Sequence, residues 1–207
     1  MTKKSKLNII LPIAFTAALL ASMIYCGEFA SSGSMFKSVL QLSAIYMLLA
    51  VSLNLLNGFT GLFSLGQAGF MTIGAYTYAI FTIPVKSRAS VYYLYGVADW
   101  LKNIELPVII ALIVAGLAAA LLAAIIGAPV LRLKSDYLAI ATLGFAEVVR
   151  IVVASSPLNK ITNGSLGLKK IPGFESYYGI FIVAFVCIAI IMLLLNSTYG
   201  RALKAIR

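Results

Sequence analysis

Five of the small and polar residues that interrupt an apolar stretch in the first half of the chain could take part in chemistry. Two are amides, Asn57 and Gln67, one is a hydroxyl, Ser64, and two are glycines, Gly58 and Gly69. Amide and hydroxyl groups donate and accept hydrogen bonds, which a zwitterionic solute needs once it leaves water. Free backbone N–H groups at the start of a broken helix also receive a carboxylate. These residue types therefore predict a path for a small polar solute.

The glycines of this glycine-rich stretch, residues 54–78, also have a purely structural explanation. Glycine costs about 1 kcal/mol relative to alanine inside a helix, so its repetition requires a compensating gain. Small residues provide one gain, because they let two membrane helices pack closely. A broken or re-entrant helix provides another, because its freed backbone groups line a cavity. Both interpretations predict the same glycines, and both stay open at this point.

Glu147 and Arg150 are the second group with possible chemistry. They are the only ionisable pair inside a predicted membrane span, and their spacing of three places them on one helical face. An unpaired charge facing lipid is costly, so we expect an intramembrane ion pair, either between these two residues or with a partner subunit. The alternative is that both lie near the outer end of the span and extend to the interface.

The composition identifies the elements that must position these residues. Of 207 residues, 62% are hydrophobic and 11% are charged, whereas soluble domains have roughly 25% charged residues. This composition predicts an all-α, polytopic transmembrane helical protein that forms a single domain over residues 1–207. Apolar runs of about the 20 residues that a bilayer requires predict six spans, at 7–26, 39–56, 65–83, 107–131, 137–154 and 178–195.

The first predicted span has an alternative interpretation. A basic start followed by an apolar run is also typical of a cleaved signal peptide. The run at 7–26 is long for the apolar core of a signal peptide, and Tyr25 before Cys26 does not suit a lipoprotein processing site. We therefore favour a membrane span.

The basic residues predict the orientation of the spans. The net charge of +10 comes from residues at the ends of the apolar runs, which favours orientation in a membrane over nucleic-acid binding. The side with short, densely basic segments holds Lys3, Lys4, Lys6, Arg132, Lys134, Arg201, Lys204 and Arg207. Because cytoplasmic segments are enriched in such residues, we expect both termini of this chain to be cytoplasmic.

Several site types are excluded or disfavoured by the sequence. The chain has no histidine, and its two cysteines, Cys26 and Cys187, lie at or inside apolar runs, so we expect no metal site and no cofactor. The chain also lacks the Gly-Lys-Ser/Thr loop that cradles phosphates. We therefore do not expect an enzyme, and if ATP drives this protein, a separate partner subunit must hydrolyse it.

Two sequence blocks carry a family resemblance. They are NLLNGFTGLFSLGQAGFMTIGAY at residues 54–76 and LRLKSDYLAIATLGF at residues 131–145. Both resemble, in this order, the membrane-spanning permease subunits of branched-chain amino acid ABC importers of the LivM-like family. The resemblance implies translocation of branched-chain amino acids across the cytoplasmic (inner) membrane of a prokaryote by alternating access.

The resemblance also implies a set of partners. These are the lipid bilayer, a second homologous permease subunit, cytoplasmic ATPase subunits and an extracytoplasmic substrate-binding protein. In addition, it implies that Gly200, Arg201, Lys204 and Arg207 lead into the coupling helix that docks on the ATPase, although composition alone favours a basic flank that fixes orientation. We expect the chain to be truncated at the start of this coupling loop, before the final helices of the family.

Two other functions remain open on sequence grounds. ABC permeases for urea or short-chain amides share the same general pattern. An ion-coupled secondary transporter is a different class. The absence of histidine and the single intramembrane carboxylate, Glu147, oppose proton coupling, whereas sodium coupling through backbone carbonyls of the glycine-rich stretch stays open.

Overall fold

The computed structural model of the protein describes residues 35–133, 135–174 and 176–206, and these residues form helices and connections without a β-strand. The predicted all-α fold is therefore confirmed. The helices are α1 (Met35–Asn54), α2 (Gln67–Thr82), α3 (Val85–Val91), α4 (Val108–Val130), α5 (Ser135–Val153), α6 (Asn159–Thr162), α7 (Gly179–Asn196) and α8 (Thr198–Ile206). A π-helix, Leu55–Thr60, continues α1, and 3₁₀ turns occur at Asp99–Leu101, Ser156–Leu158 and Gly164–Leu166.

Three of the described helical segments are long and apolar enough to cross a membrane. They are Met35–Thr60, Val108–Val130 and Gly179–Asn196. The number rises to five if two bent pairs count as spans, namely Gln67–Thr82 with Val85–Val91, bent by 119°, and Tyr137–Val153 with Ser156–Thr162, bent by 55°. Each predicted span after the first therefore has a helix at its position. The predicted span at 7–26 lies outside the described residues.

The described chain divides into two compact units. The first contains residues 35–51 and 176–194. In this unit the Lys37 ammonium lies 5.4 Å from the centroid of the Tyr177 ring, and the ring of Phe181 packs edge-on against Tyr177 at 5.3 Å. A cation over an aromatic face is a favourable electrostatic contact.

The second unit contains residues 52–174, apart from Lys134, and 195–206. Its helix α2 packs against both α4 and α5. On α4 the contact uses small side chains, since Ala111 and Ala115 are buried one turn apart. The opposite face of α4 presents a stripe of exposed aliphatic side chains, which includes Ile109, Ile113 and Leu117. Such a face is suited to lipid or to another membrane helix.

The connections at one end of α2 fold into a compact cap, which comprises residues 83–106 and 154–173. Its core contains Ile83, Val91 and Tyr92, all buried. The two parts of the cap are joined directly, because the Tyr92 hydroxyl donates to the Ile161 carbonyl over 2.7 Å.

Arg88 stabilises this cap from the inside. Arg88 is only 3% exposed. The Nε donates to the Ile83 carbonyl over 3.1 Å, and the two terminal nitrogens donate to the carbonyls of Leu101 and Ile104. The planar guanidinium suits this role because its donors point in several fixed directions.

Candidate functional site

The candidate site is a helix break between the π-helix and α2. The π-helix ends at Gly61, whose φ of 72° is left-handed and therefore favours glycine. Residues 61–66 are not helical, and α2 begins at Gln67. We call residues 61–66 the break. Because π-helical turns often occur at functional sites, this geometry makes the glycine-rich stretch a candidate functional site.

Side chains hold the backbone of the break. The Asn57 Oδ1 accepts a hydrogen bond from the Ser64 N–H at 3.1 Å, and the Thr142 Oγ1 accepts one from the Leu65 N–H at 3.0 Å. The Ser64 hydroxyl is 3.5 Å from the Gly66 nitrogen, which donates to it. Because unpaired N–H groups in a membrane are costly, these bonds make a stable non-helical segment there.

Gln67 connects α2 to the end of α1. Its Nε2 donates to the Ser52 Oγ over 2.9 Å, and its side chain is half-buried. Residue Gln67 was predicted to contact a solute. In the structure its amide group links two helices at the edge of the break.

The glycines Gly58 and Gly69 permit close approach. A Cβ atom on Gly69 would lie 3.0 Å from the Cα of Ala146 and 3.1 Å from the Phe145 ring, so α2 and α5 touch at this point. A Cβ atom on Gly58 would collide with the side chain of Asn54. The Gly69 contact matches the packing interpretation, whereas the Gly58 contact lies within one continuous helical segment. The contact between Gly69 and Phe145 also brings together the two sequence blocks that carry the family resemblance.

Thr142 is the residue of the site that sequence reasoning missed. It is buried on α5, and its hydroxyl donates to the Ala139 carbonyl over 3.0 Å, which leaves the oxygen free to accept from Leu65. The signal in the sequence was a single hydroxyl in an otherwise apolar part of the second block. Its partner is 77 positions away, so no local pattern identified the contact.

Glu147 and Arg150 contact each other. The Arg150 Nε lies 3.1 Å and 3.0 Å from the two carboxylate oxygens, and one terminal nitrogen lies 2.5 Å from Oε1. The side chains are 53% and 71% exposed, respectively. The pair therefore points away from the second unit, close to the end of α5 at Val153.

The C-terminal helix α8 contacts the π-helix. Gly200 is buried and Arg201 is exposed. The side chain of Lys204 and the whole of Arg207, both predicted to lead into the coupling helix, lie outside the described residues. The described part of the segment thus reaches the same π-helix that leads into the break.

Two further features concern bound groups. Among the described residues, no three His, Cys, Asp or Glu side chains come together in a way that could hold a metal ion. A cleft of about 470 Å³ lies in the cap and is lined by residues that include Arg88, Tyr92 and Asn103. This cleft is at the end of α2 opposite to the break, since α2 runs from Gln67 to the cap.

These observations define the class of the protein, an α-helical integral membrane protein with a stabilised helix break. The family model described as "Branched-chain amino acid transport system / permease component" matches residues 35–207, and the chain belongs to this family. The resemblance carried by the two sequence blocks is confirmed.

Two curated relatives show the same similarity. The chain is 37% identical over 158 residues to the high-affinity branched-chain amino acid transport system permease protein LivM of Escherichia coli strain K12, which covers 76% of this chain and 32% of the relative. It is 36% identical over 158 residues to the protein of the same name from Salmonella typhimurium strain LT2, with the same coverage. The chain thus spans about a third of the length of the curated relatives it matches, at 32%. No solved structure gives a significant match.

Proposed function

We propose that this chain is part of the membrane-spanning permease component of an ATP-driven importer, which translocates branched-chain amino acids across the cytoplasmic membrane by alternating access. The observation that carries the proposal is that the family match over residues 35–207 includes the break and the α5 segment that holds it. The partners would be a second homologous permease, cytoplasmic ATPase subunits and an extracytoplasmic substrate-binding protein.

The break provides the chemistry that such a substrate requires. A zwitterion that leaves water needs hydrogen-bonding groups in place of its hydration, and the region of Asn57, Ser64 and Gln67 supplies amide and hydroxyl groups. Phe63 and Leu65 are exposed in the break, and an aliphatic substrate side chain would contact them. Gly58 and Gly69 would allow the backbone to approach the path.

The connection to ATP hydrolysis would run through α8. Helix α8 contacts the π-helix, and through this contact it would transmit the movement of a cytoplasmic partner to the break. Gly200, Arg201, Lys204 and Arg207 would lead into the surface that this partner binds. The protein itself would make or break no covalent bond.

Uptake by liposomes tests the proposal. The gene product that carries this sequence is reconstituted with its ATPase and binding-protein partners, and uptake of labelled leucine and labelled urea is followed with and without ATP. ATP-dependent leucine uptake is the expected result. Uptake of urea alone would overturn the substrate, and uptake driven by an ion gradient without ATP would overturn the mechanism.

The role of Gln67 is tested with Ser52, its hydrogen-bond partner, as the control residue. Gln67→Ala and Ser52→Ala remove the same inter-helix bond. If Gln67 also contacts the substrate, Gln67→Ala raises the KM for uptake more than Ser52→Ala does, because only this variant loses the substrate contact. Equal effects of the two variants would show that Gln67 acts only in holding α1 and α2 together. Circular dichroism and gel filtration in detergent confirm that both variants are folded.

A further inference from the structure

We infer that Thr142 is a positioning residue of the transport site, because its hydroxyl fixes the backbone of the break from the neighbouring helix α5. This inference rests on the proposed function, since it concerns the same break. The observation behind it is the 3.0 Å bond from the Leu65 N–H to the Thr142 Oγ1.

The hydroxyl is oriented for this task by its own helix. Its proton goes to the Ala139 carbonyl over 3.0 Å, so the oxygen presents lone pairs toward the break. Thr142 is 9% exposed, which protects the bond from competition with water or with lipid headgroups. Because the Thr142 hydroxyl both donates a hydrogen bond and accepts one, the side chain is fixed in one rotamer.

The surrounding contacts keep the two helices in register. A Cβ atom on Gly66 would lie 3.3 Å from the Thr142 Cβ, so the threonine already fills the space beside this glycine. One turn further, Gly69 abuts Ala146, and the rings of Phe70 and Phe145 lie 5.3 Å apart. A shift of α5 along α2 would therefore break the Thr142 bond and release the Leu65 amide.

The break is held from two directions. Asn57 fixes Ser64 from the π-helix, whereas Thr142 fixes Leu65 from α5. Only the second bond depends on how two separate helices are placed. The position of the break, and hence the position of its polar groups along the substrate path, follows the position of α5.

Three substitutions test this assignment. Thr142→Val removes the acceptor but keeps the branched shape, and Thr142→Ser restores the hydroxyl. Thr72→Val is the matched control, because the Thr72 hydroxyl donates only to the Ala68 carbonyl of its own helix, at 2.7 Å, in the bonds that the structure describes. The readouts are amide hydrogen exchange of residues 61–66 and the kinetic constants of reconstituted uptake.

The expected result is specific to Thr142→Val. Exchange of the Leu65 amide rises about tenfold or more, and the KM for the transported solute rises about tenfold while kcat changes less than about twofold, as for a lost positioning contact. Thr142→Ser restores both readouts, and Thr72→Val leaves both unchanged. A residue with a merely structural role would lower the yield of folded protein without this separation of KM from kcat.

The two proposals fail in distinguishable ways. The uptake comparison uses whichever solute the parent transports, so a failure of the leucine proposal leaves this test intact. Unchanged exchange at Leu65 in Thr142→Val would overturn the positioning role, and so would a loss of kcat without a change in KM.

Discussion

At the scale of single residues, the polar side chains of the second unit act mainly on the main chain. Arg88 shows this most clearly, because a buried guanidinium is satisfied by the carbonyls of Ile83, Leu101 and Ile104. Burying a charge requires complete hydrogen bonding, and here backbone groups supply it. Arg88 thus joins three points of the cap through hydrogen bonds to their backbone carbonyls.

Substitution of Arg88 by methionine should loosen the cap. Methionine fills the space but leaves the carbonyls without their donors, which we expect to cost on the order of 3 kcal/mol. Thermal unfolding in detergent measures the loss, and amide exchange at residues 99–106 localises it. Arg88→Lys should recover part of the stability, because an ammonium donates to fewer of the fixed positions. Equal stability of the methionine variant and the parent would contradict this role.

We expect the ionisation of Tyr92 to lower the stability of the fold at alkaline pH. Burial raises the pKa of its hydroxyl to about 12, partly offset by the charge of Arg88. The neutral form is favoured in the folded state, so the contribution of Tyr92 to stability is complete below pH 10, the ordinary pKa, and is lost as the pH rises toward 12.

Absorbance at 295 nm follows this ionisation. Among the 11 tyrosines, Tyr92 should be one that ionises late, and Tyr92→Phe should remove that component of the curve. An identical titration of the variant at high pH would refute the prediction.

Because Glu147 and Arg150 form an ion pair, we expect the double substitution to destabilise the protein less than either single substitution. Glu147→Gln leaves an unpaired guanidinium near the end of α5, and Arg150→Gln leaves an unpaired carboxylate. The combined variant leaves no charge, so its membrane-inserted yield and melting temperature should be closer to those of the parent. Losses that simply add would show that the two side chains act independently.

At the scale of elements, the contact between α2 and α5 means that alanine substitution of the two glycines in α2 should have different effects on stability. Gly69→Ala places a methyl group 3.0 Å from the backbone of Ala146, whereas Gly74→Ala meets nothing within 4 Å. We expect a loss of about 1 to 3 kcal/mol for the first and a gain of up to about 1 kcal/mol for the second. Parallel thermal unfolding of the two variants compares them directly. A stable Gly69→Ala variant would mean that the helices separate at this point without cost.

The helices of the described chain were predictable where length and hydropathy define them. The apolar runs at 108–130 and 179–196 need no partner to be recognised, and repeated glycines indicated an interruption near Gly61. The short helices α3 and α6 were not predicted, since neither has the length or periodicity that marks a helix in isolation.

The candidate site was predictable only in part. Asn57 and Ser64 are close in sequence, and both were identified, whereas their bond to each other depends on the left-handed turn at Gly61. Thr142 required knowledge of which helix packs beside α2. Long-range contacts of this kind arise from tertiary packing and leave no local pattern in a single sequence.

At the scale of the whole molecule, the cap constrains the topology. Tyr92 bonds to Ile161, and the Ala98 N–H donates to the Lys160 carbonyl over 3.2 Å, so the two parts of the cap lie on the same side of the membrane. The turn at residues 131–133 lies at the other end of α4 and α5. From the density of basic residues we propose that the cap lies on the extracytoplasmic side and the turn in the cytoplasm.

Cysteine labelling in intact cells checks this orientation. Cysteines introduced at Lys102 and Lys160, both exposed in the cap, should react with a membrane-impermeant maleimide added outside. Cysteines at Arg132 and Arg201, also exposed, should react only after permeabilisation. The reverse pattern would invert the orientation, and reaction of Lys102→Cys and Lys160→Cys from opposite sides would contradict the cap itself.

The labelling requires a background without native thiols. Cys26→Ser and Cys187→Ser remove the two thiols of this sequence, and any further cysteine of the gene product is replaced in the same way. Cys187 is half-buried within α7 without a disulfide partner among the described residues. Unchanged uptake by this background strain would show that the labelled variants report on the native protein.

The bonds of Arg88, Asn57 and Thr142 have a consequence for how the chain can diverge. Each of these side chains bonds to a peptide group, and every residue other than proline supplies the same peptide donors and acceptors. No second side chain has to change in step with the first. Covariation between homologous sequences would therefore report the close packing of α2 against α5, while these three residues would each vary, or stay fixed, without a correlated partner.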